Sequence, residues 1–143
     1  MRNILWAFLL APLPAWAGDP AAIHINVETS ALSVSECMAD TGGRSIRDQP
    51  FFKCRIENTT ANAISAASYG VTIYEPERTI QWMPEDEYPR HIGRREIQGG
   101  MEPGEVITVL LAVRQFPDRA DPSKVEITAH FTEAYDADGA LIE

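Results

Sequence analysis

The feature that most restricts how this 143-residue chain can fold is the period of two in its apolar residues. Ile23, Ile25 and Val27 alternate with polar neighbours, and so do Leu32 and Val34. Phe52, Cys54 and Ile56 share one parity, as do Tyr69, Val71 and Ile73. Ile107, Val109, Leu111 and Val113 form another series, and Val125, Ile127, Ala129 and Phe131 a further one. Successive side chains of an extended strand point to opposite faces, so these runs read as half-buried strands of antiparallel sheets. Turn-forming residues separate them: Gly42-Gly43, Asn58-Thr59-Thr60-Ala61-Asn62, Glu75-Pro76-Glu77-Arg78, Glu102-Pro103-Gly104-Glu105 and Asp136-Ala137-Asp138-Gly139. Pro followed by Gly in the fourth suits a type II turn, and the fifth suits a tight hairpin. The best helical candidate, Asn62–Ser68, runs into the β-prone Tyr69–Tyr74 and is read as the start of a strand. The pattern defines an all-β sandwich.

The first residues obey a different rule. Met1-Arg2-Asn3 is a short basic start, Ile4–Ala11 an apolar run, and Pro12–Ala17 a proline-containing stretch ending in Ala15-Trp16-Ala17. This is the make-up of a cleavable secretory signal peptide over residues 1–17. The apolar run falls short of the roughly 20 residues a membrane span needs, and Pro12 and Pro14 oppose a core helix. No Cys follows the cleavage site to carry a lipid anchor, and no second long apolar run holds the rest in a membrane. Residues 18–143 are then one β-sandwich domain in the periplasm or outside the cell, beginning at Gly18.

The leader holds one of the 12 Lys and Arg residues and none of the 21 Asp and Glu residues, so the remainder has a formal charge of −10. Such a chain repels nucleic acid and anionic lipid surfaces, which excludes them as partners. Two cysteines in an exported chain pair with each other, so a Cys37–Cys54 disulfide is expected. Closing a loop of this size is worth roughly 3 kcal/mol on the chain-entropy model. A redox site would use the tighter Cys-x-x-Cys spacing.

Three segments, in order, carry a family resemblance. Cys54-Arg55-Ile56-Glu57-Asn58-Thr59-Thr60 is a strand ending in Asn before a polar turn; Val71-Thr72-Ile73-Tyr74-Glu75 follows; Met101-Glu102-Pro103-Gly104-Glu105 is a Pro-Gly turn before a long apolar strand. Over roughly residues 51–135 the chain resembles the FxLYD-type and related immunoglobulin-like domains of exported bacterial proteins. In the naming motif Val71 stands for Phe, Ile73 for Leu and Glu75 for Asp. The resemblance implies a single immunoglobulin-like antiparallel β-sandwich of about seven strands and no enzymatic activity. It carries no catalytic residue across.

The chemistry-bearing residues are scattered. His24, His91 and His130 are far apart and lack Cys or Asp partners at metal-ligand spacing, so they read as surface or hydrogen-bonded strand histidines. Met38, Met83 and Met101 do not cluster with His91 as copper capture would require. Asp136-Ala137-Asp138-Gly139 starts like a calcium loop but has no Glu twelve positions on. Neither a Gly-x-Ser-x-Gly elbow nor a Gly-rich phosphate loop is present. One stretch, Thr79–Arg95, reads as a binding surface: Thr79–Met83 as a short edge strand ending at Pro84, then three acids and Arg90, Arg94 and Arg95. Trp82, Tyr88 and Arg90 are the candidate partner-binding residues, because Trp, Tyr and Arg dominate interface energetics. The competing role for Trp82 is closure of the core.

These readings converge on a non-catalytic, cofactor-free binding or accessory module acting on another exported protein or an envelope component. The alternative is a periplasmic small-ligand or metal-binding protein, and a hydrolase is a third, weaker reading.

Overall fold

The computed structural model describes residues 23–40, 51–83, 92–112, 117, 119–121 and 123–142. The leader, Gly42-Gly43, Tyr88, Arg90 and His91 lie outside these residues. Eight strands and no helix form the described part: β1 (Ile23–Val27), β2 (Leu32–Asp40), β3 (Phe51–Asn58), β4 (Ile64–Tyr74), β5 (Ile92–Met101), β6 (Val106–Ala112), β7 (Glu126–Tyr135) and β8 (Leu141–Ile142). They make two packed sheets. One has the order β1-β7-β4-β5, with β8 also on β7; the other has the order β2-β3-β6. The all-β sandwich expected from the period of two is the fold of the chain.

Alternation is visible in the burial of each strand. Phe52, Cys54 and Ile56 of β3 face Val109 and Leu111 of β6 and are buried, while Lys53, Arg55 and Glu57 point out. Across the core stand Tyr69, Val71 and Ile73 of β4 and Ile127, Ala129 and Phe131 of β7. Tyr69 and Phe131 lie with ring centroids 5.8 Å apart, within the range of favourable aromatic pairs. Burial pushes the Tyr69 phenol up, against the opposing pull of Arg95. β4 is an inner strand, flanked by β7 and β5, and residues of both parities are buried along it; its sequence carries no charge.

The cysteines sit directly opposite each other on β2 and β3, bonded at an S–S distance of 1.98 Å with Cα atoms 4.1 Å apart. β2 runs on to Asp40, so the bridge staples the middle of a ladder. A bulge between Val34 and Glu36 realigns the strand before it.

Three features depart from the sequence reading. First, β1 pairs with β7 in parallel, Ile23 beside Ile127 through Val27 beside Phe131, so this sheet is mixed rather than purely antiparallel. Its apolar face points at the core but lies at the sheet edge, leaving Ile25 and Val27 partly exposed. Second, β5 takes up Arg94 and Arg95, the end of the stretch that read as a binding surface. As an outer strand it buries little before Met101, so Arg94, Arg95 and Glu96 are tolerated in it. Third, Thr79 to Met83 is a bent loop, not an edge strand. The side-chain amide of Gln81 replaces a strand partner there: its Nε2 donates to the carbonyls of Glu75 and Arg78, both at 2.9 Å, and its Oε1 accepts from the Glu75 N–H at 2.9 Å. Backbone groups already satisfied by a side chain have no use for a ladder.

One end of the sandwich is stitched by Asn58 and Thr59. Among the described strands, three of the four passages between sheets, from β1 to β2, from β3 to β4 and from β5 to β6, lie at this end. Thr59 donates its N–H to the Ala31 carbonyl at 3.0 Å and its hydroxyl to the Ser30 carbonyl at 2.7 Å, holding the first crossing. The fully buried Asn58 holds the other two. Its Nδ2 donates to the carbonyls of Asn62 (2.8 Å) and Met101 (3.0 Å), and its Oδ1 accepts from the N–H and hydroxyl of Thr60 at 2.9 and 2.8 Å. Its backbone N–H reaches the Glu105 carbonyl, and its carbonyl accepts from Gly104. Gly104, at φ 76°, takes the left-handed position of the expected Pro-Gly turn, closed by the Glu105 N–H on the Glu102 carbonyl at 2.9 Å. The Asp136–Gly139 hairpin forms as read, with Asp136 Oδ1 accepting from the Asp138 and Ala140 N–H groups.

Candidate functional site

The loop that follows β4 builds a fixed aromatic corner. The turn after Tyr74 closes with the Arg78 N–H on the Glu75 carbonyl at 3.0 Å. Gln81 holds the loop flat against the end of β4, and Trp82 folds back so that its indole Nε1–H donates to Glu75 Oε2 at 2.6 Å. The Arg78 guanidinium lies over the ring, 3.5 Å from its centroid, and its Nε donates to the Ile80 carbonyl at 2.9 Å. Arg119 approaches the same ring at 6.0 Å. Trp82 is half-buried: with Met83 it packs against the core, and Arg78 covers its ring. Two residues earlier in the same loop, Ile80 is 76% exposed, the most exposed of the large apolar side chains among the described residues. Of the three residues singled out for binding, Trp82 is placed at this corner, whereas Tyr88 and Arg90 lie outside the described residues. Arg94 sits on β5 with its guanidinium 4.1 Å from the ring centre of Tyr135.

A second polar group lies on the outer face of the larger sheet, around His130, which pairs with Gly70 of β4. Asn26 Nδ2 contacts His130 Nδ1 at 3.2 Å and donates to Glu28 Oε1 at 3.0 Å. The Glu28 contact fixes the amide with its nitrogen toward the ring, so Nδ1 accepts and Nε2 carries the proton that is donated to Thr72 Oγ1 at 2.8 Å. A Thr–His–Asn line superficially suggests an activated nucleophile. Here the imidazole donates to the hydroxyl instead of taking its proton, which is the reverse of general-base activation. Burial holds the His130 imidazole below its ordinary value, partly offset by the Glu28 carboxylate. The histidine was legible as a hydrogen-bonded strand residue; its link to Asn26 on a distant strand was not. Further along the face, Ser68 and Tyr135 donate to Glu133 Oε2 at 2.8 and 2.5 Å, and these bonds hold the carboxyl below its usual range.

The His130 arrangement has a testable pH signature. The folded state disfavours the imidazolium, so it binds fewer protons than the unfolded chain. Stability is then fully present above the ordinary histidine value of about 6.5 and is lost as pH falls from there toward the lowered folded value. The melting temperature should be level above neutrality and decline as pH falls below about 6.5, and His130→Gln should flatten that decline. An unchanged decline in the variant would assign it to other groups.

The outer face of the smaller sheet carries a shallow concavity of about 230 Å³ lined by Glu36, Met38, Lys53, Arg55 and Thr108. Met101 is buried in the core, Met83 packs at its margin and Met38 is on this open face, so the methionines are dispersed. Among the described residues no group of three or more His, Cys, Asp or Glu could hold a metal ion.

Fold and surface together define a disulfide-bonded β-sandwich module, and no helix among the described residues is long and apolar enough to cross a membrane. No family model matches the chain, and neither a curated protein nor a solved structure does.

Proposed function

We propose that this protein is a non-catalytic binding or accessory module that works outside the cytoplasm and docks another exported protein or envelope component through the Trp82 corner. The observation that carries this reading is a fixed indole in a loop that also exposes a large aliphatic side chain. Trp82 is held by Glu75 and capped by Arg78, and Ile80, two residues earlier in the same loop, is 76% exposed. A pre-ordered aromatic and arginine pair loses little conformational freedom on binding, which is how a small patch gains affinity. The signal-peptide-like start and the Cys37–Cys54 bridge support an oxidising compartment. The strand order supports the immunoglobulin-like reading: counting β2 to β8 as seven strands, the first, second and fifth share one sheet and the others form the second. In that reading β1 is an added edge strand running beside β7.

Ile80→Asp separates binding from folding, because an exposed loop side chain contributes little to stability. The variant should melt within a few degrees of the parent while its capture of the partner from an envelope extract falls at least about tenfold. Trp82→Ala should also lose capture, together with about 1–2 kcal/mol of stability from its half-buried ring. Full capture by Ile80→Asp would exclude this corner.

A further inference from the structure

The sheet edges differ in how they are protected. β5 carries Arg94, Arg95 and Glu96 and then turns through Gly99 and Gly100 at φ 85° and 71°. β2 has its bulge between Val34 and Glu36 and ends in Asp40. β1 is only five residues long. β6 has none of these devices. Its seven residues, Val106-Ile107-Thr108-Val109-Leu110-Leu111-Ala112, contain no charge and no proline, and they pair with β3 in unbroken register. Among the described residues no strand pairs with its other side. A regular, uncharged apolar edge is the kind that recruits another strand.

The hydrogen-bond parity of that edge can be read. Asn58 donates its N–H to Glu105 and accepts from Gly104, so the odd-numbered positions 105, 107, 109 and 111 face β3. The N–H and C=O groups of Val106, Thr108, Leu110 and Ala112 therefore point away from the sandwich. The outward side chains on the same parity include Val106 and Leu110, 41% and 55% exposed.

We propose that a second copy of this chain occupies this edge, with β6 pairing antiparallel to β6 about a two-fold axis at Val109, so that the two three-stranded sheets join into one. In this register Leu110 of one copy lies opposite Thr108 of the other, and Val106 opposite Ala112, each donating and accepting through the outward groups. No like charges meet across the seam, which matters for a chain of net charge −9. Among the described residues the nearest cations, Lys53 and Arg55, stand one strand back, opposite Leu110 and Thr108. Across the seam they are three strand spacings from their counterparts, about 14 Å, which is beyond the screening length at physiological salt. This surface is on the opposite sheet from the strand that leads into the Trp82 corner and does not depend on it.

The test is the solution mass of the purified, disulfide-intact chain as a function of concentration, by sedimentation equilibrium. The parent should approach twice its chain mass. Leu110→Lys puts a charge at the seam on an exposed position and should raise the dissociation constant at least about tenfold with an unchanged melting temperature. Thr108→Pro removes an outward N–H that makes no bond to β3 and should do the same. A parent that stays monomeric, or a dimer whose constant is unmoved in both variants, would overturn the proposal.

Discussion

Asn58→Ala should cost about 3–4 kcal/mol, the largest loss expected from a polar substitution in this chain. The side chain is fully buried and makes four hydrogen bonds, none of which an alanine methyl replaces. Removing the donor strands the Met101 carbonyl, and each buried unsatisfied group costs about 1–3 kcal/mol. The loss is also shared by two of the crossings between sheets, because Asn62 and Met101 belong to different ones. Asn58→Asp is the informative control. It keeps the acceptor for Thr60 but turns an oxygen toward two carbonyls and buries a charge, so at neutral pH it should be no better than alanine. Chemical denaturation at constant slope reads both values. A midpoint shift worth less than about 0.5 kcal/mol in Asn58→Ala would remove the residue from this role.

Loss of the Cys37–Cys54 bond should cost about 2–5 kcal/mol, the range for small disulfide-bonded domains. The two ends differ in a way that gives the experiment a second readout. Cys54 is fully buried between the sheets, whereas Cys37 is half-buried on the outer strand of its sheet. In Cys37→Ser the remaining Cys54 thiol should resist alkylation until the chain unfolds, while in Cys54→Ser the Cys37 thiol should react under native conditions. Two thiols that alkylate freely in the untreated native protein would contradict the bridge.

What was legible in the sequence follows from which faces are buried. β3, β4, β6 and β7 each turn one apolar parity into the core, so their period of two survives in the residues. β5 was hidden because its role at the edge asks for charge and kinks, and Arg94 and Arg95 read as the end of a charged binding stretch. β1 was legible as a strand, but nothing in Ile23-His24-Ile25-Asn26-Val27 encodes a parallel partner about a hundred residues later. The loop at Gln81 failed for a different reason: a single amide substitutes for a strand, and composition does not distinguish that from any other glutamine. At the candidate site, residue type pointed to Trp82. The neighbours that fix it, Glu75 and Arg78, belong to what read only as a turn, and Ile80 carried no signal beyond its exposure in the folded chain. Asn58 stood out as a turn residue, and its grip on the later Pro-Gly turn emerged only in three dimensions.

The most direct test of the binding role is a cross-link from the corner itself. Replacing Ile80 with a photo-reactive residue places the probe on an exposed side chain two residues from Trp82 in the same loop, where the substitution leaves the core untouched. After irradiation in living cells, a single discrete adduct to another envelope or exported protein is expected, lost on Trp82→Ala and absent when the probe sits at the exposed Glu57 of the other sheet. No adduct from position 80, or the same adduct from position 57, would contradict a partner docked at this corner.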